Sequence, residues 1–368
     1  MVISAMKPMI LVVLAGARPN FMKVAPLMDV LSSDSDFSAI LVHTGQHYDH
    51  NMSAQFLSDL CVPEPRYYLE VGSGSHAQQT ADVMKRIEPV LLESKAAAIL
   101  VVGDINSTMA GALVAAKLGI KVVHAEAGLR SFDRTMPEEI NRIVTDSISD
   151  LLLVTEESGR VNLLREGIEP ERIHLTGNLM IDSLRRHLDR AMQSNIRERL
   201  GINGDRFGLV TLHRPANVDC DQQLTEILEA LSVISHHLPL YWSMHPRTRA
   251  RIEKRSIPLS GRIHVVGPLG YLDFLCLQAS SAVVLTDSGG IQEETTVLGV
   301  PCLTLRNNTE RPVTIEYGTN RLAGTCKRTI LEAWNQAVAE PRTGKIPPLW
   351  DGKAGLRCHA ALRQFLLR

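Results

Sequence analysis

Short, wholly apolar runs alternate with amphipathic stretches from one end of this chain to the other, and that alternation constrains the fold more than any other feature. Candidate strands in the first half are residues 10–15, 39–43, 98–102, 121–124 and 151–154. The second half repeats the pattern at 208–211, 238–243, 263–266, 283–286 and 302–305. Helical periodicity fills the gaps at 21–31, 76–93, 108–118, 138–149, 222–234, 247–254, 271–278 and 290–298. Strands that are apolar throughout, with no alternating polar face, suit a parallel sheet covered on both sides. Alternation of strand and helix then calls for right-handed crossovers and a doubly wound arrangement.

A single core stops growing at about 250–300 residues; this chain has 368, so two domains are expected. The boundary falls between Gly177 and Gly208, where a charged helical stretch leads into the turn-rich Gly201-Ile202-Asn203-Gly204-Asp205. The expected division is residues 1–178 and 179–352, with a last helix at 353–368, after Pro347-Pro348, packing back on the first domain. The fold class is therefore α/β: two doubly wound, Rossmann-like domains with a cleft between them. In open parallel sheets ligands bind beyond the carboxyl ends of the strands, so residues just after strands matter most.

Charge narrows the ligand. With 39 basic and 40 acidic residues the net charge is −1, which leaves no whole-protein field to gather nucleic acid or an anionic membrane surface. Any polyanion must be small and held locally. Six cysteines stand far apart, with no CxxC pair, and read as buried thiols of a cytoplasmic protein. The apolar run at 9–17 is about half of a membrane span. It ends at Arg18-Pro19-Asn20 and reads as a buried strand, not a signal peptide.

Two glycine turns look like anion sites. Gly16-Ala17-Arg18-Pro19-Asn20-Phe21-Met22-Lys23 follows the first strand; open amides at a helix start, with Arg18 and Lys23, favour negative charge. It matches neither GxGxxG nor a P-loop. Thr286-Asp287-Ser288-Gly289-Gly290-Ile291-Gln292-Glu293-Glu294 is sharper. Ser288 is placed to cap the helix, Gly289 and Gly290 to let a diphosphate approach the backbone, and Glu294 to accept from ribose hydroxyls. Arg311, after the next strand, is a fork donor for the same phosphates.

Three carboxylates stand at strand ends or a helix start in the first half: Asp104 after Gly103, Glu126 in His124-Ala125-Glu126-Ala127-Gly128, and Glu138 after Pro137. Such carboxylates suit general acid–base work on a neutral sugar. Glu139 reads more simply as a first-turn acid complementing the helix dipole. A carboxylate ending a buried strand is costly unless paired or used, which singles out Asp104 and Glu126. His213 closes the first strand of the second half and suits phosphate binding or proton exchange. His43, His47 and His50 have i, i+4, i+7 spacing but stand in a strand-to-turn context with Gly45. No metal site is expected.

Taken together, these residues resemble the non-hydrolysing UDP-N-acetylglucosamine 2-epimerase family. The likeness runs from Gly16 to Gly324, and its most specific stretches are HAEAGLRS…PEEINR (His124 to Arg142) and LTDSGGIQEE…LGVPCLTLRNNTERP (Leu285 to Pro312). The resemblance implies a glycosyltransferase-B-like fold, a homodimer and no redox cofactor. It also implies reversible inversion at C2 by anti elimination of UDP and re-addition through 2-acetamidoglucal. By position, Arg18, Lys23, His213, Ser288, Gly289, Gly290, Glu294 and Arg311 match the family's UDP contacts, and Phe274 an aromatic position near the uracil. Asp104, Glu126 and Glu138 match its catalytic acids, with His213 assisting. Departures from the common pattern are Asn20 and Ala216 where glutamates are usual, Leu269 for glutamine, a shorter loop between Arg130 and Pro137, and Tyr48 for arginine. They bear on activation by a second UDP-N-acetylglucosamine and on the exact sugar accepted.

Overall fold

The computed structural model describes residues 7–45, 57–202, 204, 206–244, 246–254, 259, 261–339 and 343–367. The described chain forms two compact units. One runs through Ser183 and resumes at Pro348; the other is Leu184–Pro347.

The first unit is built on a seven-stranded sheet, spatial order β3-β2-β1-β4-β5-β6-β7. Its strands are β1 (Met9–Ala15), β2 (Phe37–His43), β3 (Tyr67–Tyr68), β4 (Ala98–Val102), β5 (Lys121–Ala127), β6 (Leu151–Val154) and β7 (Ile173–Leu175). All pairings are parallel. β4 and β6 are buried at every residue, as strands apolar on both faces must be. Helices Arg18–Ser32, His76–Ser94 and Asn106–Lys117 alternate with the strands. The last helix, Ala354–Leu366, packs on Arg18–Ser32, and a side chain at Gly355 would come within 3.1 Å of the Pro26 carbonyl. Asp182 caps it from outside, accepting the Ala354 and Gly355 amides at 3.1 and 2.7 Å.

A six-stranded sheet, order β10-β9-β8-β11-β12-β13, carries the second unit. It comprises β8 (Gly208–Thr211), β9 (Leu240–Ser243), β10 (Ile263–Val266), β11 (Val283–Thr286), β12 (Cys302–Thr304) and β13 (Asn320–Leu322), again all parallel. Its core gathers Leu224, Leu231 and Ile234 of helix Asp221–His237, Trp242 of β9 and Leu285 of β11. Strand order reverses beside β1 in one sheet and beside β8 in the other. Turns after β1 and β4, and after β8 and β11, therefore flank the two switch points where open sheets take ligands.

Strands β3, β7 and β13, two or three residues long and only partly buried, have no apolar run to announce them. The thiols depart from expectation too: Cys276, Cys302 and Cys358 are buried, but Cys61 and Cys220 are exposed and Cys326 is half-buried. Among the described residues no helix is long and apolar enough to cross a membrane.

Candidate active site

In the first unit, charged side chains converge where β1, β4 and β5 end. Lys23, on the second turn of helix Arg18–Ser32, donates from Nζ to Glu126 Oε2, and the two residues are 7 % exposed each. Glu126 reaches that position because β5 bulges: its register against β6 shifts between Ala125 and Ala127, and Glu126 sits at φ +71°. A left-handed conformation without glycine costs on the order of 1–3 kcal/mol and persists only where the surroundings enforce it. Here they do. Asp146, buried in helix Pro137–Ile148, accepts from His124 Nδ1 at 2.6 Å and from the Gly128 amide at 3.1 Å, one partner on each side of Glu126. Arg130 bonds Asp146 at 2.7 Å and grips Glu166 with two nitrogens at 2.8 and 2.6 Å. Burial would raise the Asp146 pKa, but His124 and Arg130 hold it below the usual carboxylate range.

Gly103 (φ +72°) ends β4 where a side chain would meet Glu126 Oε2 at 3.2 Å and Asn20 Nδ2 at 3.3 Å. Asn20 ties the two turns together. Its Oδ1 accepts from the Gly16 and Ala17 amides at 3.3 and 3.0 Å, and its Nδ2 donates to the Val102 carbonyl at 3.1 Å. The Gly16 turn thus spends these amides on Asn20 and its lysine on Glu126. Half-buried Arg18 opens the helix.

Asp104, half-buried, pairs with Arg142 Nη1. Arg142 also donates to Glu139 Oε2, from Nε at 3.1 Å and from Nη2 at 2.6 Å. Glu139 is 1 % exposed and accepts from the Ser131 and Phe132 amides at 2.9 Å each. Burial opposes its charge, yet the Ser131 amide and Arg142 hold its pKa below the ordinary value. The helix-dipole reading of Glu139 is therefore incomplete, since this carboxylate folds the loop ahead of its own helix. Asn141 adds a 2.9 Å bond to the Asp104 carbonyl. Glu138, half-buried on the same first turn, has no hydrogen-bond partner for its carboxylate among the described residues.

The second unit presents its cluster where β8, β11 and β12 end. Asp287, fully buried, accepts from the His213 and Arg214 amides at 3.1 and 3.0 Å and from Asn217 Nδ2 at 3.1 Å. It lies 2.9 Å from His213 Nδ1, whose imidazole is about half exposed. Burial opposes the Asp287 charge, but the histidine and these amides hold its pKa below the usual range. Asp287 has no role legible in its own stretch of sequence; the structure makes it the residue that orients His213.

Ser288 occupies the N-cap of helix Gly289–Leu298, but its side chain makes no capping bond. That corrects the expected cap. The Ser288 amide instead donates to Thr286 Oγ1 at 3.0 Å, and no acid stands in the helix's first turn. An uncapped, acid-free helix start favours an anion. Gly289 makes room for a neighbouring side chain: a Cβ there would clash with Arg311 Nη1 and lie 2.7 Å from its Cζ. Arg311 fills that space, donating from Nε to Glu293 at 2.7 Å and from Nη1 to Glu310. Glu310 also takes Arg306 at 2.7 Å and Arg214 at 3.4 Å. Despite full burial it stays well below the usual carboxylate range because three guanidinium groups surround it. Three arginines thus gather around Glu293 and Glu310, with the buried Asp287 beside Arg214.

Glu294, 3 % exposed, accepts from Tyr271 Oη at 3.3 Å. Burial pushes its pKa up to about 7. Gly290 is half-buried in the first turn of the same helix. Phe274 lies on helix Tyr271–Ser280 and packs, partly buried, against the cluster of Phe207, Leu209 and Cys276. Of the three-histidine pattern, His47 and His50 lie outside the described residues, as does Tyr48. His43 Nδ1 accepts the Gly45 amide at 2.7 Å, and its ring stacks on Phe21 and Tyr68.

With the geometry in place, known proteins supply the family. The UDP-N-acetylglucosamine 2-epimerase family matches residues 29–363. A Methanocaldococcus jannaschii protein named UDP-N-acetylglucosamine 2-epimerase is 42 % identical over 354 residues, 94 % of this chain and 96 % of that one. A Pseudomonas aeruginosa protein named UDP-2,3-diacetamido-2,3-dideoxy-D-glucuronate 2-epimerase is also 42 % identical, over 322 residues covering 86 % of this chain and 89 % of its own. The crystal structure of the M. jannaschii enzyme in complex with UDP-GlcNAc and UDP superposes with a TM-score of 0.91 at 41 % identity, covering 97 % of this chain and all of that one. The chain is an α/β protein that belongs to the UDP-N-acetylglucosamine 2-epimerase family.

Proposed function

We propose that this protein interconverts UDP-N-acetylglucosamine and UDP-N-acetylmannosamine by anti elimination of UDP and re-addition through bound 2-acetamidoglucal. One observation carries the reading: two carboxylates where strands end, Glu126 bonded to Lys23 and Asp104 bonded to Arg142, in a unit separate from a turn that gathers three arginines at an open helix start. The C2 proton beside an acetamido group is too weakly acidic for simple removal, so its loss is coupled to departure of the diphosphate. That needs a base at C2, stabilisation of the leaving group, and an acid for the opposite face.

Glu126 with Lys23, Asp104 with Arg142, and Glu138 at the start of the next helix supply acid–base groups. Arg18, His213, Ser288, Gly289, Gly290 and Arg311 are assigned to the diphosphate, Glu294 to the ribose hydroxyls and Phe274 to the surroundings of the uracil. Within that set Gly289 acts by making room for Arg311. Incubation with UDP-N-acetylglucosamine should yield UDP-N-acetylmannosamine with no free sugar; free N-acetylmannosamine would move the protein to a hydrolysing reaction.

A second reading has its own support. The P. aeruginosa relative is as similar, at 42 %, and its name places an acetamido group at C3 and a carboxylate at C6 of the substrate. The same chemistry on such a modified UDP-sugar fits this site equally. Turnover of that substrate with none of UDP-N-acetylglucosamine would decide for it. A homodimer in the cytoplasm completes the proposal, carried by the family resemblance; light scattering should give a mass twice 40.6 kDa.

A further inference from the structure

Behind the Lys23–Glu126 pair, inside the first unit, lies a small cavity lined by Lys23, Glu126, Thr155, Thr176, Asn178 and Cys358 among others. It leaves about 10 Å³ for the centre of a water-sized sphere, which is room for one water molecule. Two of its lining side chains are buried with an end left over. Asn178, 2 % exposed, accepts the Met180 amide on Oδ1 at 2.9 Å, but its Nδ2 has no partner among the described residues. Thr155, 5 % exposed, gives its carbonyl to Trp350 Nε1 at 3.1 Å, while its hydroxyl has no partner among them. Other polar groups of the wall are occupied or closed: the Thr176 hydroxyl donates to the Val154 carbonyl at 3.3 Å, and burial pushes the Cys358 thiol up to about 12. Buried donors without a protein partner are satisfied by ordered water.

We infer that this cavity is a water site, in which Thr155 and Asn178 are positioning residues that hold one water against the Glu126 carboxylate, on the far side from substrate. The inference rests on Glu126 exchanging a proton with C2. The carboxylate takes that proton as the C1–O bond to UDP breaks, and the C–H electron pair becomes the C1–C2 double bond. The resulting acid then passes its proton to the water while the water returns one of its own to the other carboxylate oxygen. Nothing is consumed, and the proton carried by Glu126 becomes a solvent proton before it can return to C2.

Two measurements test this. A high-resolution crystal structure should show a water within hydrogen-bond distance of Thr155 Oγ1 and Asn178 Nδ2, missing in Thr155→Val; an empty cavity in the wild-type protein overturns the site. In deuterated water, starting from each epimer in turn, Thr155→Val should lower deuterium uptake at C2 of the recovered starting material several-fold relative to product formation, in one direction. UDP affinity should be unchanged, and Thr155→Ser, which keeps the hydroxyl, should restore uptake. An unchanged ratio in Thr155→Val overturns the relay. A water present in a protein that epimerises no UDP-sugar overturns the relay together with the proposed reaction and leaves the water site standing.

Discussion

The two units share an architecture and place their polar clusters after equivalent strands, yet they use backbone and charge in opposite ways. Every non-glycine residue at positive φ among those described, namely Cys61, Glu70, Lys95, Glu126, Phe132 and Leu349, belongs to the first unit. Two of them, Glu126 and Phe132, fall within eight residues around the His124–Arg130 motif. In that unit Lys23 bonds Glu126 and Arg142 bonds Asp104. The second unit has no non-glycine residue at positive φ among those described, and it concentrates three arginines around Glu310 and Glu293 beside an uncapped helix start. Strain that aims one carboxylate suits chemistry; clustered guanidinium groups beside an uncapped helix start suit holding a diphosphate.

That division of labour can be broken most sharply at Glu126. Glu126→Gln keeps the shape of the side chain and should lower turnover roughly 10²–10⁴-fold, with UDP affinity changed by no more than about twofold. Loss of UDP binding in parallel would show that the first unit's pair is part of the anion site. At the other pole, Gly289→Ala pushes a methyl group into the Arg311 guanidinium. Losing one charge-assisted hydrogen bond should weaken UDP binding by about 1.5–3 kcal/mol, while turnover at saturating substrate changes little. Calorimetric titration with UDP reads the first and initial rates the second; a turnover defect at unchanged affinity would place Arg311 in the chemistry.

Glu294 sharpens the comparison through pH. Its pKa is about 7 in the folded protein against an ordinary 4.5, so the folded state favours the protonated form. Stability is highest below pH 4.5 as far as this group is concerned, and its contribution is lost as pH rises through 7, on the order of 3 kcal/mol in all. Denaturant unfolding at pH 5 and pH 8 should therefore show a smaller loss for Glu294→Gln than for the wild-type protein. Parallel losses would mean the carboxylate is ionised throughout. The smallest effect expected is kinetic: initial rates hyperbolic in substrate, as the departures at Asn20, Ala216 and Tyr48 suggest. Sigmoidal rates would show that a second substrate molecule activates the enzyme.

Much of this was legible in the sequence because it is local. Wholly apolar runs marked the central strands; the turns after them carried Asp104, His213 and the Ser288-Gly289-Gly290 stretch, and Glu126 stood in the last residues of β5. Contacts between segments distant in sequence were not legible. Nothing near Asp104 points to Arg142, 38 residues away, although its i+3 spacing from Glu139 on one helix was a usable signal. Gly289 illustrates the limit most clearly: nothing in its own stretch of sequence shows that the space a side chain would fill is taken by Arg311, 22 residues further on. Edge strands β3, β7 and β13 escaped because an edge needs too few buried residues to leave an apolar run.

Whether Glu126 exchanges the C2 proton is decided by proton NMR of the wild-type and Glu126→Gln proteins, side by side with saturating UDP-N-acetylglucosamine in deuterated water. Deuterium should appear at C2 of newly formed UDP-N-acetylmannosamine with the wild-type protein and almost none with the variant, although both bind UDP. Deuterium appearing at C2 as fast in the variant would contradict that role for Glu126.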